Sequence, residues 1–163
     1  MSDIADAAGM SRPTLYAVYP NKEAVFSAIA EQHSEQAERA TEARLPGEKS
    51  LEAQLALIFE IWIIEPFASV IDSPSGLDLL GNAEAYAPEA VGRMYARFEH
   101  YIIRVLQPEM PKKRTLAARD LAHVVMLATK GLKASTTSLA ELRRMTDGLI
   151  TMAVATTRVA AHR

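Results

Sequence analysis

The sequence predicts an all-α protein, with a helix-turn-helix over residues 1–32 and a larger helical domain over residues 33–163. Three observations support this. Glycine and proline divide the chain into pieces of helical length. Most of these pieces open with a residue that caps helices. No segment alternates polar and apolar residues for long enough to form a half-buried strand.

The amino-terminal residues predict two short helices joined by a tight turn. Ser2–Ala8 has helical spacing, and Gly9 ends it because glycine readily adopts the left-handed conformation of a helix stop. Ser11 can cap the second helix, whose Leu15 and Tyr19 lie four residues apart and face a core. Two short helices with a glycine-containing turn form a helix-turn-helix, whose second helix enters the major groove of DNA.

Capping residues also mark the later helices, to within a few residues at each end. Asn21, Ser50 and Thr115 are the expected caps, Pro88 fits a first turn, and Ser138 with Glu141 forms a capping-box pattern. We therefore expect helices at Lys22 to about Arg44, Leu51 to about Ile64, Pro88 to Leu106, Thr115 to about Leu132, and Ser138 to about Ala161.

The last two helices carry apolar stripes with steps of three and four residues. Two such helices from each of two subunits would form a four-helix seam, which favours a homodimer. The alternative is that both stripes pack inside one subunit. The candidate interface residues are Leu121, Val124, Ala128, Leu142, Met145, Leu149 and Met152.

Three stretches follow one another without gaps at the amino terminus: IADAAGMS at residues 4–11, TLY at 14–16 and YPNKEAV at 19–25. Together they resemble the DNA-binding signature of TetR-family regulators, and the likeness covers roughly the first thirty residues. It implies a homeodomain-like DNA-binding unit and a TetR-like helical domain for ligand binding and dimerisation. The residues that it places against operator DNA are Arg12, Pro13, Thr14 and Ala17 in the groove, and Tyr16 and Lys22 on phosphates.

The sequence departs from the family pattern in three ways. Val18 stands where the family often has a phosphate-contacting tyrosine or histidine. The helix that normally precedes the helix-turn-helix is missing from this chain, so the DNA-binding unit is expected to be incomplete. The ionised side chains from residue 3 to 22 are Asp3, Asp6, Arg12 and Lys22, which sum to zero charge. Because phosphate binding depends on cations, tight DNA binding is not expected of this segment alone.

The resemblance also implies a small-molecule effector, bound among the middle helices. Large apolar and aromatic side chains suit such a cavity, although the same stripes also form solid cores. The candidate wall residues are Phe59, Trp62, Phe67, Met94, Phe98, Tyr101 and Met126.

Composition argues against several other classes of protein. There is no cysteine, and the four histidines are scattered, so neither a disulfide nor a zinc site is expected. No phosphate-binding glycine loop or nucleophile motif is present, so we predict neither an enzyme nor a cofactor. The longest apolar stretch, Leu55–Ile64, is too short to span a bilayer, and no signal peptide opens the chain. A cytoplasmic protein with no membrane partner is therefore expected.

Two functional hypotheses follow. The first is a DNA-binding repressor that a small molecule releases from its operator. The second is a helical ligand-binding and dimerisation module without DNA-binding activity.

Overall fold

The structure, a computed structural model, describes residues 1–72, 82–110 and 116–158, and this part of the chain contains helices and no strand. Short 3₁₀ turns occupy Leu45–Gly47 and Gln107–Glu109. The helices are α1 (Ser2–Ala7), α2 (Arg12–Val18), α3 (Lys22–Arg44), α4 (Leu51–Phe59), α5 (Glu65–Val70), α6 (described over residues 82–86), α7 (Pro88–Leu106), α8 (Ala118–Ser135) and α9 (Leu139–Arg158). The division between two domains at residue 32 falls inside α3, which runs without interruption, and it stays a prediction.

The predicted caps are present wherever the structure describes them. Gly9 has a φ of 63°, in the left-handed region, and ends the first helix. The side chains of Ser11, Asn21, Ser50 and Ser138 each accept the backbone N–H three residues on, at 3.3, 2.8, 3.1 and 3.2 Å. Thr115 lies outside the described residues. α8 begins at Ala118, where the carboxylate of Asp120 accepts the N–H of Ala117 at 3.2 Å.

The prediction that the fourth helix ends near Ile64 was wrong, because a π turn over Glu60–Ile64 carries the helix on into α5. The N–H of Glu65 donates to the carbonyl of Glu60, five residues back. Pro66 then falls in the first turn of α5, where its missing N–H costs little.

The whole run Leu51–Val70 is long and apolar enough to cross a membrane by length and composition alone, with a mean hydropathy of 1.5. Half of it is buried inside the protein, as expected for the central helix of a packed core.

This central run is surrounded by α3, α7 and α9, and α8 packs on α7 and α9. Its inward side chains are almost fully buried, and those of Trp62 and Phe59 meet the ring of Phe98 at centroid distances of 6.4 and 5.4 Å. Burying a large apolar side chain contributes about 1.5–3 kcal/mol. The core is therefore formed by helices that follow the helix-turn-helix in the chain, and α3 connects the helix-turn-helix to this core.

Candidate DNA-binding surface and helical domain

The second helix, α2, is held by its cap and by one buried side. The Ser11 hydroxyl accepts the N–H of Thr14 and lies 2.7 Å from the Thr14 hydroxyl. Leu15 on α2 is 3% exposed and Ala5 on α1 is fully buried, and the two helices pack together. This packing determines which side of α2 faces outward.

The outward side of α2 carries the residues that the sequence assigned to DNA. Tyr16 is 50% exposed, and the others are exposed as well: Arg12, Pro13, Thr14 and Ala17. Val18, the departure from the family pattern, is also exposed at 59%. The structure therefore leaves these side chains accessible, and their contacts with DNA stay a prediction.

Lys22, the sixth candidate, has an aromatic neighbour that the sequence did not indicate. Its ammonium lies 4.2 Å from the centroid of the Tyr86 ring in α6 and 5.5 Å from that of Phe26. The two rings stack on each other at 4.7 Å. A cation over an aromatic face is stabilised by about 0.5–1 kcal/mol at an exposed site. Lys22 thus links the start of α3 to the helical domain.

The middle and end of α3 are joined to α7 by a row of ion pairs. The Nε of Arg93 donates to Glu31 at 2.7 Å, and this hydrogen bond lowers the pKa of Glu31. Arg97 lies 3.2 Å from Glu31, close enough for a second ion pair. One edge of α3 therefore follows α7.

The row continues at the carboxyl-terminal end of α3. Glu42 accepts hydrogen bonds from Arg104 at 2.5 Å and from Tyr101 at 2.9 Å, and both lower its pKa. Exposed ion pairs are worth little one by one. Nearby, the buried hydroxyl of Thr41 accepts the indole N–H of Trp62 at 2.9 Å and donates to the carbonyl of Ala37. This end of α3 is therefore attached to the central core.

The predicted effector-wall residues lie mainly in the closed core. Met94 is half-buried, and the buried ones are Phe59, Trp62, Phe67, Phe98, Tyr101 and Met126. Two surface grooves of about 360 and 350 Å³ lie beside His100, and neither is lined by any of the predicted wall residues. In this conformation those side chains pack against each other, and their contact with an effector stays a prediction.

The candidate dimer residues divide into two groups. Val124 and Met152 are 58% and 60% exposed, while Ala128, Met145 and Leu149 are half-buried. Leu121 and Leu142 are 7% and 0% exposed, so these two pack within the subunit's own core, and their place in an interface stays a prediction. Their sides of α8 and α9 point at neighbouring helices of the same chain.

Sequence reasoning missed Leu127, which is 51% exposed. It lies three residues after Val124 and four before Gly131, a spacing that places all three on one face of α8. That spacing was the available signal.

Within the described ranges, no group of three or more histidine, aspartate or glutamate side chains is arranged to hold a metal ion.

The arrangement defines a class: an all-helical protein in which a capped helix-turn-helix precedes a larger helical core. Residues 1–29 match the family model described as bacterial regulatory proteins, tetR family. The HTH-type transcriptional repressor ComR of Escherichia coli (strain K12) is 34% identical over 91 residues. No solved structure matches the chain. The amino-terminal segment of the chain is therefore similar to the TetR family of bacterial regulatory proteins.

The match to the Escherichia coli repressor covers 55% of this chain and 42% of that relative. The chain therefore aligns with less than half of the relative's length.

Proposed function

We propose that the protein is a DNA-binding transcriptional regulator that acts as a homodimeric repressor and leaves its operator when a small molecule binds the helical domain. The observation that carries the proposal is the exposed side of α2, where Arg12, Thr14 and Tyr16 are accessible while Leu15 is buried. A guanidinium can donate two parallel hydrogen bonds to guanine, and hydroxyl groups can donate to phosphate oxygens. The Escherichia coli relative is named a transcriptional repressor.

A homodimer supplies the second reading helix. Half-sites recognised by two such helices lie one helical turn apart, about 34–36 Å. The exposed apolar side chains Val124, Leu127 and Met152 lie on α8 and α9, which pack together, and this supports an interface with a second copy there. A stable interface of this kind is more apolar than the rest of the surface, and these residues meet that requirement.

The helix α3 is suited to transmit the effector signal. Its start lies beside α2 and contacts Tyr86 through Lys22, and its end is attached to Trp62 and Arg104 in the helical domain. Movement of the helical domain would therefore change the spacing of the two reading helices. Since both half-sites must be engaged together, a small shift lowers operator affinity.

This role requires neither catalysis nor a cofactor, and it places the protein in the cytoplasm with the DNA. The alternative, a helical ligand-binding module without DNA-binding activity, draws on the low charge of the first segment. Its described basic side chains are Arg12 and Lys22, and Lys22 is partly occupied by Tyr86. DNA-binding measurements separate the two hypotheses.

The test is fluorescence anisotropy of the chain with labelled DNA from the promoter of its own gene. We expect binding that weakens steeply as salt rises, because phosphate contacts release counterions. Tyr16→Phe should weaken binding to all DNA sequences alike, whereas Arg12→Ala should cost about 1–3 kcal/mol and relax base preference.

Tyr19→Phe is the matched control, because Tyr19 is half-buried and lies where the family usually has a core phenylalanine. It should leave affinity unchanged. If the wild-type chain binds its promoter no more tightly than unrelated DNA, the module without DNA-binding activity is the better description. If Tyr16→Phe changes base preference but not general affinity, the role of Tyr16 is assigned wrongly.

A further inference from the structure

Three side chains join the first turns of α3 to α6. They are Lys22, Phe26 and Tyr86, and we call them the Lys22 latch. Lys22 and Phe26 lie four residues apart, so they share one face of α3. The ring of Tyr86 stacks on that of Phe26, with the two planes at 24°, and the ammonium of Lys22 lies over both rings. The latch therefore connects the start of α3 to a segment of the helical domain.

The two rings are the partners of the Lys22 ammonium. Among the residues that the structure describes, no carboxylate pairs with Lys22. Lys130 differs, because its ammonium lies over the Tyr95 ring at 5.1 Å and also pairs with Glu84 at 2.6 Å. All three side chains of the latch are half-buried, and a cation–π contact becomes stronger as water is removed from it. The charge of Lys22 is thus held by aromatic faces alone.

An aromatic face and a DNA phosphate oppose each other as partners of one ammonium. The face of an aromatic ring is its negative side, which attracts a cation and repels an anion. A phosphate that pairs with Lys22 would neutralise the charge that holds the ammonium over Tyr86, and it would approach two negative ring faces. Each of the two contacts therefore weakens the other.

We propose that the Lys22 latch is an autoinhibitory contact, in which Tyr86 and the phosphates of DNA compete for the ammonium of Lys22. In this structure the latch is closed, and DNA binding opens it. This inference rests on the proposed DNA-binding role of Lys22. It adds a means by which the helical domain lowers the affinity for DNA.

The latch predicts the direction in which α6 regulates the protein. A state of the helical domain that holds Tyr86 against Lys22 binds DNA more weakly, and a state that withdraws α6 binds DNA more tightly. The opposite role, in which Tyr86 orients Lys22 toward a phosphate, predicts weaker binding when the Tyr86 ring is removed. The sign of the effect separates the two roles.

The first experiment measures DNA affinity by fluorescence anisotropy at low salt. The probes are a duplex from the promoter of the protein's own gene and an unrelated duplex of equal length. Tyr86→Leu should tighten binding roughly two- to fivefold, the factor that an exposed cation–π contact contributes. The gain should be equal for both duplexes, because phosphate contacts carry no sequence information. Tyr86→Phe keeps the aromatic face and should restore wild-type affinity.

A second substitution tests whether this gain depends on the ammonium. Lys22→Met removes the charge and keeps the length of the side chain, and it should weaken binding and reduce the salt slope by about one. In the Lys22→Met background, Tyr86→Leu should no longer change the affinity. This double-mutant cycle separates the latch from a general loosening of α6, which would act whichever residue occupies position 22.

Nuclear magnetic resonance observes the latch directly. Reductive methylation with isotope-labelled formaldehyde marks the lysines and keeps their charge, and Lys22→Arg identifies the Lys22 signal. Methyl groups over a ring face are shifted upfield, so we expect this shift for Lys22 in the free chain. Tyr86→Leu should abolish the shift, and so should saturation with either duplex. The signal of Lys130, over the Tyr95 ring, is the control and should keep its position.

Four results would overturn the inference. They are no gain in affinity from Tyr86→Leu, a gain that persists in the Lys22→Met background, a Lys22 signal without an upfield shift in the free chain, and a shift that survives DNA binding. Failure of the proposed regulator function is distinguishable. Preference for the promoter without a gain from Tyr86→Leu contradicts the latch alone. Equal binding to both duplexes, with the gain on each, contradicts operator recognition alone.

Discussion

Replacing Lys133 with methionine should increase the stability of the fold at pH 7, although the change removes a side chain in contact with Tyr95. A pKa lowered from 10.5 to about 8 corresponds to a cost of roughly 3 kcal/mol for the charged form in the folded protein. Lys133 keeps part of its surface in water, so the recoverable amount is smaller, about 1–2 kcal/mol. Methionine preserves the apolar contact because its thioether packs well on aromatic rings.

The gain should depend on pH with a definite sign. Below pH 8 the lysine is charged in both the folded and the unfolded state, so the folded state bears the full penalty. Between pH 8 and 10.5 the folded protein releases the proton first, and wild-type stability rises toward that of the variant. The difference between the two proteins is therefore largest near pH 7 and should shrink steadily above pH 8.

Urea unfolding of wild type and Lys133→Met at pH 7, 8 and 9 measures this difference. The series starts at pH 7 because His33, whose pKa is lowered, is neutral there in both proteins. Lys130→Met serves as the control: it removes an ion pair with Glu84 that is partly exposed, and should destabilise by about 1 kcal/mol or less. A Lys133→Met variant that is less stable than wild type at pH 7, or a difference that grows with pH, would refute the reasoning.

Two further predictions concern the interface and the attachment of α3. Leu127→Glu should convert the proposed dimer to a monomer in sedimentation analysis, because it places a charge within the exposed apolar face of α8. Ile29→Glu is the control: it changes an equally exposed position on α3 and should leave the dimer intact. A dimer that survives Leu127→Glu would place the interface elsewhere. Each of the variants Trp62→Phe and Thr41→Val should lower the free energy of unfolding in urea by about 1–3 kcal/mol. The double variant should lose less than the sum of the two, because both substitutions remove the same hydrogen bond between Trp62 and Thr41. Additive losses would show that this hydrogen bond contributes nothing to stability.

Much of the fold could be predicted because helix starts and stops are local. Ser11, Asn21 and Ser50 each bond to an N–H only three residues away, and Gly9 ends its helix through its own backbone conformation. The exposure of Arg12 and its neighbours on α2 followed from the same short-range pattern. Such features need no knowledge of the rest of the chain.

The continuation of α4 into α5 was harder to predict. A proline such as Pro66 normally ends a helix. Here the helix continues through Pro66, because the hydrogen bonding changes in the preceding π turn. Sequence reasoning treated the proline by its usual effect. The packing of the apolar run in the core determined the outcome.

The sequence by itself determined most of the helix starts, their caps and the similarity of the first segment to TetR-family regulators, because these depend on neighbours a few residues apart. Tertiary structure decided that Leu121 turns inward while Leu127 faces out, that Glu31 meets an arginine 62 residues away, and that the ammonium of Lys133 is partly desolvated. A helical stripe shows which residues share a face. Which face is covered depends on where the other helices lie.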